Sequence, residues 1–175
     1  MIVVGEHELL PDTPNQSIEI MVSGGDNVQG LNFRVQVADG GTHPMAGGSI
    51  DGPMISNIDL LSGTIFDGNN TGQNDILSLP QVWVQSTTSA NDTVPADGLL
   101  ATVTIDTTGF MEGEFDLRVG DTLDNATDFA GVAVDITDGL LRISVPEPAS
   151  ATVLLMGWAI LCTALRRVGR SRCAN

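Results

Sequence analysis

Gly30-Leu31-Asn32-Phe33-Arg34-Val35-Gln36-Val37 is the stretch whose reading decides the fold. Leu31, Phe33, Val35 and Val37 fall on one side of an extended chain, and Asn32, Arg34 and Gln36 fall on the other. A helix turns once in about 3.6 residues and cannot put four large apolar side chains at period two on one face. The segment is predicted to be a strand that packs one face into a two-sheet sandwich.

The same alternation recurs on both sides of it. Upstream, Ile18, Ile20 and Val22 alternate with Glu19 and Met21 and stop at Ser23-Gly24-Gly25-Asp26. Ile2-Val3-Val4 reads as the first strand, ended by Leu9-Leu10-Pro11-Asp12-Thr13-Pro14-Asn15. Downstream, residues 39–53 are rich in glycine and lose periodicity, which predicts a loop crossing the end of the sheets. Residues 54–60, 76–79 and 81–85 read as further strands, with Pro80 marking an edge or a break. In residues 98–105 the pattern puts Leu99, Ala101, Val103 and Ile105 inward, and Phe115, Leu117 and Val119 follow after a turn. Val132, Val134 and Ile136 are expected to pair with Leu141, Ile143 and Val145 through an Asp138-Gly139 hairpin turn. About eight or nine strands without a body helix make an all-β fold, a single antiparallel β-sandwich of jelly-roll type over residues 1–144.

The chain has 175 residues, and all 22 of its acids precede residue 149. Only Arg34, Arg118 and Arg142 oppose them there, so that stretch carries a formal charge of −19, against −15 for the whole chain. Such a body repels nucleic acid and anionic lipid, which argues against a DNA or RNA partner and favours solubility, cation binding or a neutral partner such as glycan. Both cysteines, Cys162 and Cys173, lie in the tail, so the body has no disulfide framework. His7 and His43 stand far apart in sequence with no body cysteine to join them, which argues against a transition-metal site. No nucleophile elbow or phosphate loop is present, and no catalytic residue is nominated.

Two weaker signals remain. Asp67-Gly68-Asn69-Asn70-Thr71-Gly72 fits the opening of a calcium loop, with oxygen ligands from Asp67, Asn69 and Thr71 and glycine at the sixth place. The closing acid is missing because the twelfth place is Ser78, and Asp75 at the ninth is the substitute. A solvated Asn/Gly loop is the competing reading. Trp83, between Val82 and Val84, is a glycan-stacking platform if the valines face the core, and a core residue if they do not. Asp121, Asp124 and Asp128 share one polar segment, and Asp26, Asp39 and Asp51 sit in others; chance alone produces such pairs in so acidic a chain.

The end of the chain has a different character. Pro146-Glu147-Pro148 precedes seventeen uncharged residues, 149–165, and then Arg166, Arg167, Arg170 and Arg172. As a helix the run is about 25 Å long, a short transmembrane span, and the arginines behind it favour the cytoplasmic side. The tripeptide, short apolar helix and arginine cluster, in that order over residues 145–175, resemble the PEP-CTERM sorting signal of exported bacterial proteins. The resemblance implies that Pro146, Glu147 and Pro148 are recognised by exosortase, a membrane-embedded cysteine transpeptidase that cuts near them and releases or re-attaches the body. The two prolines keep that segment extended, the form a processing enzyme binds. The start, Met1-Ile2-Val3-Val4-Gly5-Glu6-His7-Glu8, lacks a basic n-region and a long apolar run, so an exported body implies a signal peptide upstream of Met1.

The second half of the body resembles cohesin-like and related carbohydrate-binding sandwiches. The resemblance rests on the Gly98-Leu99-Leu100-Ala101 strand, the Gly113 turn into Phe115-Asp116-Leu117, the polar loop 121–129 and the Gly139 closing strand. Together these readings predict an exported protein of the cell envelope or extracellular matrix, a non-catalytic structural or binding module held in the inner membrane by its tail until processing. Its expected partners are an exosortase-type peptidase, the membrane, and exopolysaccharide or another surface protein. The alternatives are a calcium-dependent or glycan-binding module, with Ca²⁺ as its cofactor, and an enzyme acting on envelope polysaccharide.

Overall fold

The computed structural model describes residues 1–120, 127–130 and 132–145, and these contain strands and no helix. In chain order the strands are β1 (Ile2–Val3), β2 (Glu6–Leu9), β3 (Gln16–Val22), β4 (Asn27–Val28) and β5 (Gly30–Val37). There follow β6 (Met54–Asp59), β7 (Gln73–Leu79), β8 (Val82–Thr88), β9 (Val94–Pro95) and β10 (Gly98–Asp106). The last are β11 (Gly113–Arg118), β12 (Asp128–Phe129), β13 (Val132–Ala133), β14 (Ile136–Thr137) and β15 (Gly139–Ile143). The sorting tripeptide Pro146-Glu147-Pro148, the apolar run 149–165, the arginines 166, 167, 170 and 172, and Asp121 and Asp124 lie outside the described residues.

One sheet has the order β14-β1-β3-β10-β6. The other has the order β13-β12-β5-β11-β15-β2, and the β7–β8 hairpin continues it along the free edge of β5. β4 and β9 form a separate ribbon. The core lies between the two sheets: Phe33, Val35 and Val37 from β5 meet Ile20 from β3, Ile58 from β6, Val103 and Ile105 from β10, and Leu117 and Leu141 from the second sheet. Fully burying each of these side chains contributes about 1.5–3 kcal/mol.

The predicted alternation is realised most cleanly in β3, where Ile18, Ile20 and Val22 are buried and Ser17, Glu19 and Met21 are exposed. In β10 a bulge between Leu99 and Ala101 changes the pattern. It turns Leu100 into the core together with Ala101, Val103 and Ile105, and Leu99 points to the outer face. The expected inward Leu99 is corrected to Leu100. β5 differs from expectation too, because its polar side is also covered: Arg34 and Gln36 are each only 8% exposed. Arg34 donates to Gln36 Oε1 at 3.1 Å, and its backbone N–H is met by the Thr127 hydroxyl at 2.9 Å.

The hairpin expected at Asp138-Gly139 does not form. β14 instead pairs in parallel with β1, and β15 pairs in parallel with β2 and antiparallel with β11. First and last strands therefore run side by side and cross together from one sheet to the other, so the sandwich is antiparallel except at this seam. The crossing is tight. Gly5 takes φ +81°, and Leu140 N–H donates to its carbonyl at 3.0 Å. A Cβ on Gly139 would overlap the Gly5 carbonyl oxygen and lie 2.7 Å from Val4 Cγ1, so the two chains pass only because residue 139 has no side chain. Across the seam, Arg142 on β15 pairs with Glu6 of β2 at 3.0 Å, and it also pairs with Glu114 of β11 at 2.9 Å.

The free edge of β6 is met by the Gln73 side chain and the Pro80 backbone of the β7–β8 hairpin in the opposite sheet. Gln73 at the start of β7 accepts the Leu60 N–H at 2.7 Å and donates to the Ile58 carbonyl at 2.7 Å. Ile55 N–H reaches the Pro80 carbonyl at 2.7 Å. Three of the backbone groups that could recruit a further strand are thereby engaged within the domain.

Candidate functional site

The residues nominated as calcium ligands each have a different protein partner. Asp67 Oδ2 accepts the Gly63 N–H at 3.1 Å, and the Asn69 side chain pairs with the Asn91 backbone through both its oxygen and its nitrogen at 2.8 Å. Thr71 Oγ1 bonds Thr88 Oγ1 at 2.7 Å, and Asp75, already inside β7, receives the Gln85 amide. Among the described residues no group of three or more His, Cys, Asp or Glu is placed to hold a metal ion. Trp83 stands opposite Val35 in the β5–β8 register, so it shares the inward face of β5 and packs half-buried against the core. Val82 and Val84, opposite Gln36 and Arg34, take the other face.

Asp39 and Asp51 turn out to organise residues 38–53, the longest irregular segment among the described residues. Asp39 Oδ2 accepts the Ser49 N–H at 2.7 Å and the Ser49 hydroxyl at 2.8 Å, while its Oδ1 accepts the N–H groups of Ile50 at 3.0 Å and Gly41 at 3.3 Å. Asp51 Oδ1 answers from the other end, taking the Thr42 N–H at 2.9 Å and its hydroxyl at 2.8 Å. The Ser49 and Ile50 backbone donors hold the Asp39 carboxyl down to about 2, and the Thr42 N–H lowers that of Asp51. Gln81 Nε2 ties the loop to the sandwich by donating to the Gly52 carbonyl at 3.0 Å.

At the tip, a turn is closed by Ala46 N–H to the His43 carbonyl at 2.8 Å, and Met45 N–H donates to His43 Nδ1 at 3.2 Å. This places Met45 at 75% exposure and Ile50 at 54%, two apolar side chains on a backbone fixed from below. Apolar tips on a braced loop suit contact with another macromolecule. They supply no chemistry. The carboxyls of Asp39, Asp51, Asp59 and Asp106 are held below the ordinary carboxylate range, opposite to what a general acid needs. No Asp or Glu is buried among the described residues. The sequence signal for this loop was present as Asp39 and Asp51 bracketing Thr42 and Ser49, but its glycines read as plain punctuation. Elsewhere a concavity of about 570 Å³ is lined by Val22, Val28, Phe129 and Val132, with Asp26 as its acid.

No family model and no curated protein matches the sequence. Solved structures do match the fold. A non-cellulosomal cohesin from Archaeoglobus fulgidus aligns over 86% of this chain and 94% of its own, at 15% identity and a TM-score of 0.53. The fold is cohesin-like. The seventh ScaB type I cohesin of Pseudobacteroides cellulosolvens aligns over 84% of this chain and 93% of its own, at 14% identity and a TM-score of 0.55. The third ScaC cohesin of Acetivibrio cellulolyticus, solved in complex with the ScaB dockerin, aligns over 83% of this chain and 100% of its own, at 12% identity and a TM-score of 0.54. A cohesin-like β-sandwich is what the alternating segments and the Gly98 to Gly139 pattern predicted.

Proposed function

We propose that the chain is a non-catalytic, protein-binding module displayed outside the cell, a cohesin-like body delivered by a PEP-CTERM tail. The observation that carries the binding part is the cohesin-like sandwich itself, since the Acetivibrio domain of the same fold was solved holding a dockerin. The braced 38–53 loop is the contact surface, with Met45 and Ile50 as its anchors. Export and sorting rest on the order of Pro146-Glu147-Pro148, the uncharged run 149–165 and the four arginines behind it. In this reading an exosortase-type peptidase binds the extended tripeptide, and the arginines hold the C-terminus in the cytoplasm until the cut.

The test is the mass of the protein recovered from the envelope and medium of its native host, with and without the sorting peptidase. A mature C-terminus near residues 146–148 that depends on the peptidase supports the sorting role, and a chain that keeps residue 175 in both strains sinks it. Cross-linking on the same cells reads the binding role. One discrete adduct that vanishes in the Met45→Asp/Ile50→Asp double variant is expected; an adduct that persists unchanged moves the contact surface off this loop.

A further inference from the structure

The outer face of the β14-β1-β3-β10-β6 sheet has no described cover, and its registers assemble it into rows. Thr137, Val3, Met21 and Leu99 stand side by side across four strands, with Val3 at 37% and Met21 at 44% exposure. The next row is Glu19, Thr102 and Asp59; the one after is Ser17, Thr104 and Asn57; Asp106 stands opposite Met54 beyond it. Neighbouring rows lie about 7 Å apart along a strand, and Glu19 and Asp59 are about 10 Å apart across β10. The five strands contain no lysine, arginine or histidine. The three body arginines belong to β5, β11 and β15, all in the other sheet, and Arg118 and Arg142 are already paired with Asp116, Glu6 and Glu114. The charged side chains on this face are therefore all acidic, beside an exposed apolar row, and the one cation near them is the Met1 ammonium at the rim, bonded to the Ser23 carbonyl.

We infer that this face is a docking surface for a basic, amphipathic protein segment, one that sets apolar side chains against the Val3–Met21–Leu99 row and lysine or arginine against Glu19 and Asp59. The occupant is decided by charge. A second copy would set one body of −19 against another of −19, and nucleic acid and anionic lipid are repelled in the same way. A strand lying along β10 rests on the face of the sheet, and at the β6 edge Gln73 and Pro80 already engage three backbone groups. The surface is additional to the 38–53 loop, so the domain has two separate contacts, a braced loop and an open sheet.

The test uses the full chain and a labelled synthetic peptide repeating Leu-Thr-Lys-Thr, which as a strand puts apolar and basic residues about 7 Å apart on one face. Fluorescence anisotropy is expected to show binding that weakens with salt, and the Leu-Thr-Glu-Thr counterpart is expected not to bind. Glu19→Lys/Thr102→Lys is expected to weaken binding about tenfold. A variant of equal charge change elsewhere, Glu8→Lys/Ala90→Lys, is expected to change it less than about threefold. Equal losses in the two variants would reduce the effect to net charge and overturn the proposal, as would absence of binding by the lysine peptide. Glu19→Gln, a milder change on an exposed residue, is expected to lose affinity in the same direction at unchanged melting temperature. Met45→Asp/Ile50→Asp is expected to leave peptide binding intact, which separates this face from the loop.

Discussion

Replacing Gly139 by alanine tests the seam on which the whole closure depends. The new Cβ would overlap the Gly5 carbonyl oxygen and lie 2.7 Å from Val4 Cγ1, so the β1–β2 and β14–β15 chains must separate. Separation breaks the Leu140 N–H to Gly5 bond, a net loss of about 1 kcal/mol. It stretches the half-exposed Arg142–Glu6 pair, worth about 0.5 kcal/mol. It also uncovers part of Val4 and Leu141, both in the core, for about 1.5 kcal/mol more. The expected loss is about 3 kcal/mol, which lowers the melting temperature of a domain this size by about 10 °C. Thermal unfolding followed by circular dichroism near 218 nm, the usual strand signal, reads it directly. A fall under about 1 kcal/mol would mean that the two chains pass further apart than described, and the parallel-closure argument would fail.

Three further outcomes follow from other contacts. Gln73→Ala removes two of the three bonds at the β6 edge and is expected to cost about 1–3 kcal/mol and to raise aggregation on heating, measured by unfolding and light scattering; neither effect would show that the edge does not need Gln73. For pH, the Asp39 carboxyl is lower in the folded chain than in the unfolded one, so its contribution is complete above the ordinary carboxylate value and is lost as pH falls from about 4 toward 2. Amide exchange at Ser49 and Ile50 is expected to accelerate over that window, and Asp39→Asn is expected to remove the pH dependence; exchange independent of pH after correction for intrinsic rates refutes the clamp. Millimolar calcium is expected to leave the melting temperature unchanged, because Asp67, Asn69, Thr71 and Asp75 are each engaged by another group, whereas a rise of several degrees would mean that the 67–75 segment rearranges around the ion.

The readings that stood up are those that depend on neighbours along the chain. Period two in residues 16–22 and 30–37 is a property of an extended backbone, and it announced which side chains of β3 and β5 would be buried between the sheets. The bulge in β10 was illegible because Leu99 and Leu100 are equally apolar; only the pairing with Met21 and Ile20 decides which one turns outward. Trp83 was open for a similar reason, since alternation fixes that it opposes its valine neighbours but not which side is the core. The register opposite Val35 settles that side. The Asp39 and Asp51 clamps escaped notice because an aspartate in a glycine-rich loop looks the same whether it is solvated or holds backbone donors ten residues away.

By itself, then, the sequence determined an all-β sandwich, its inward-facing residues on the regular strands, a strongly acidic body and a tail of contrasting character, because period, composition and charge are carried by local order along the chain. Tertiary structure alone decided which strands meet. A hydrogen-bonding edge accepts a parallel or an antiparallel neighbour from anywhere in the chain, and Asp138-Gly139 looked like a hairpin until β14 and β15 were placed beside β1 and β2. The same long-range pairing sorts the three body arginines onto one sheet and leaves the other uniformly acidic, an asymmetry that exists only once the strands are assigned to sheets.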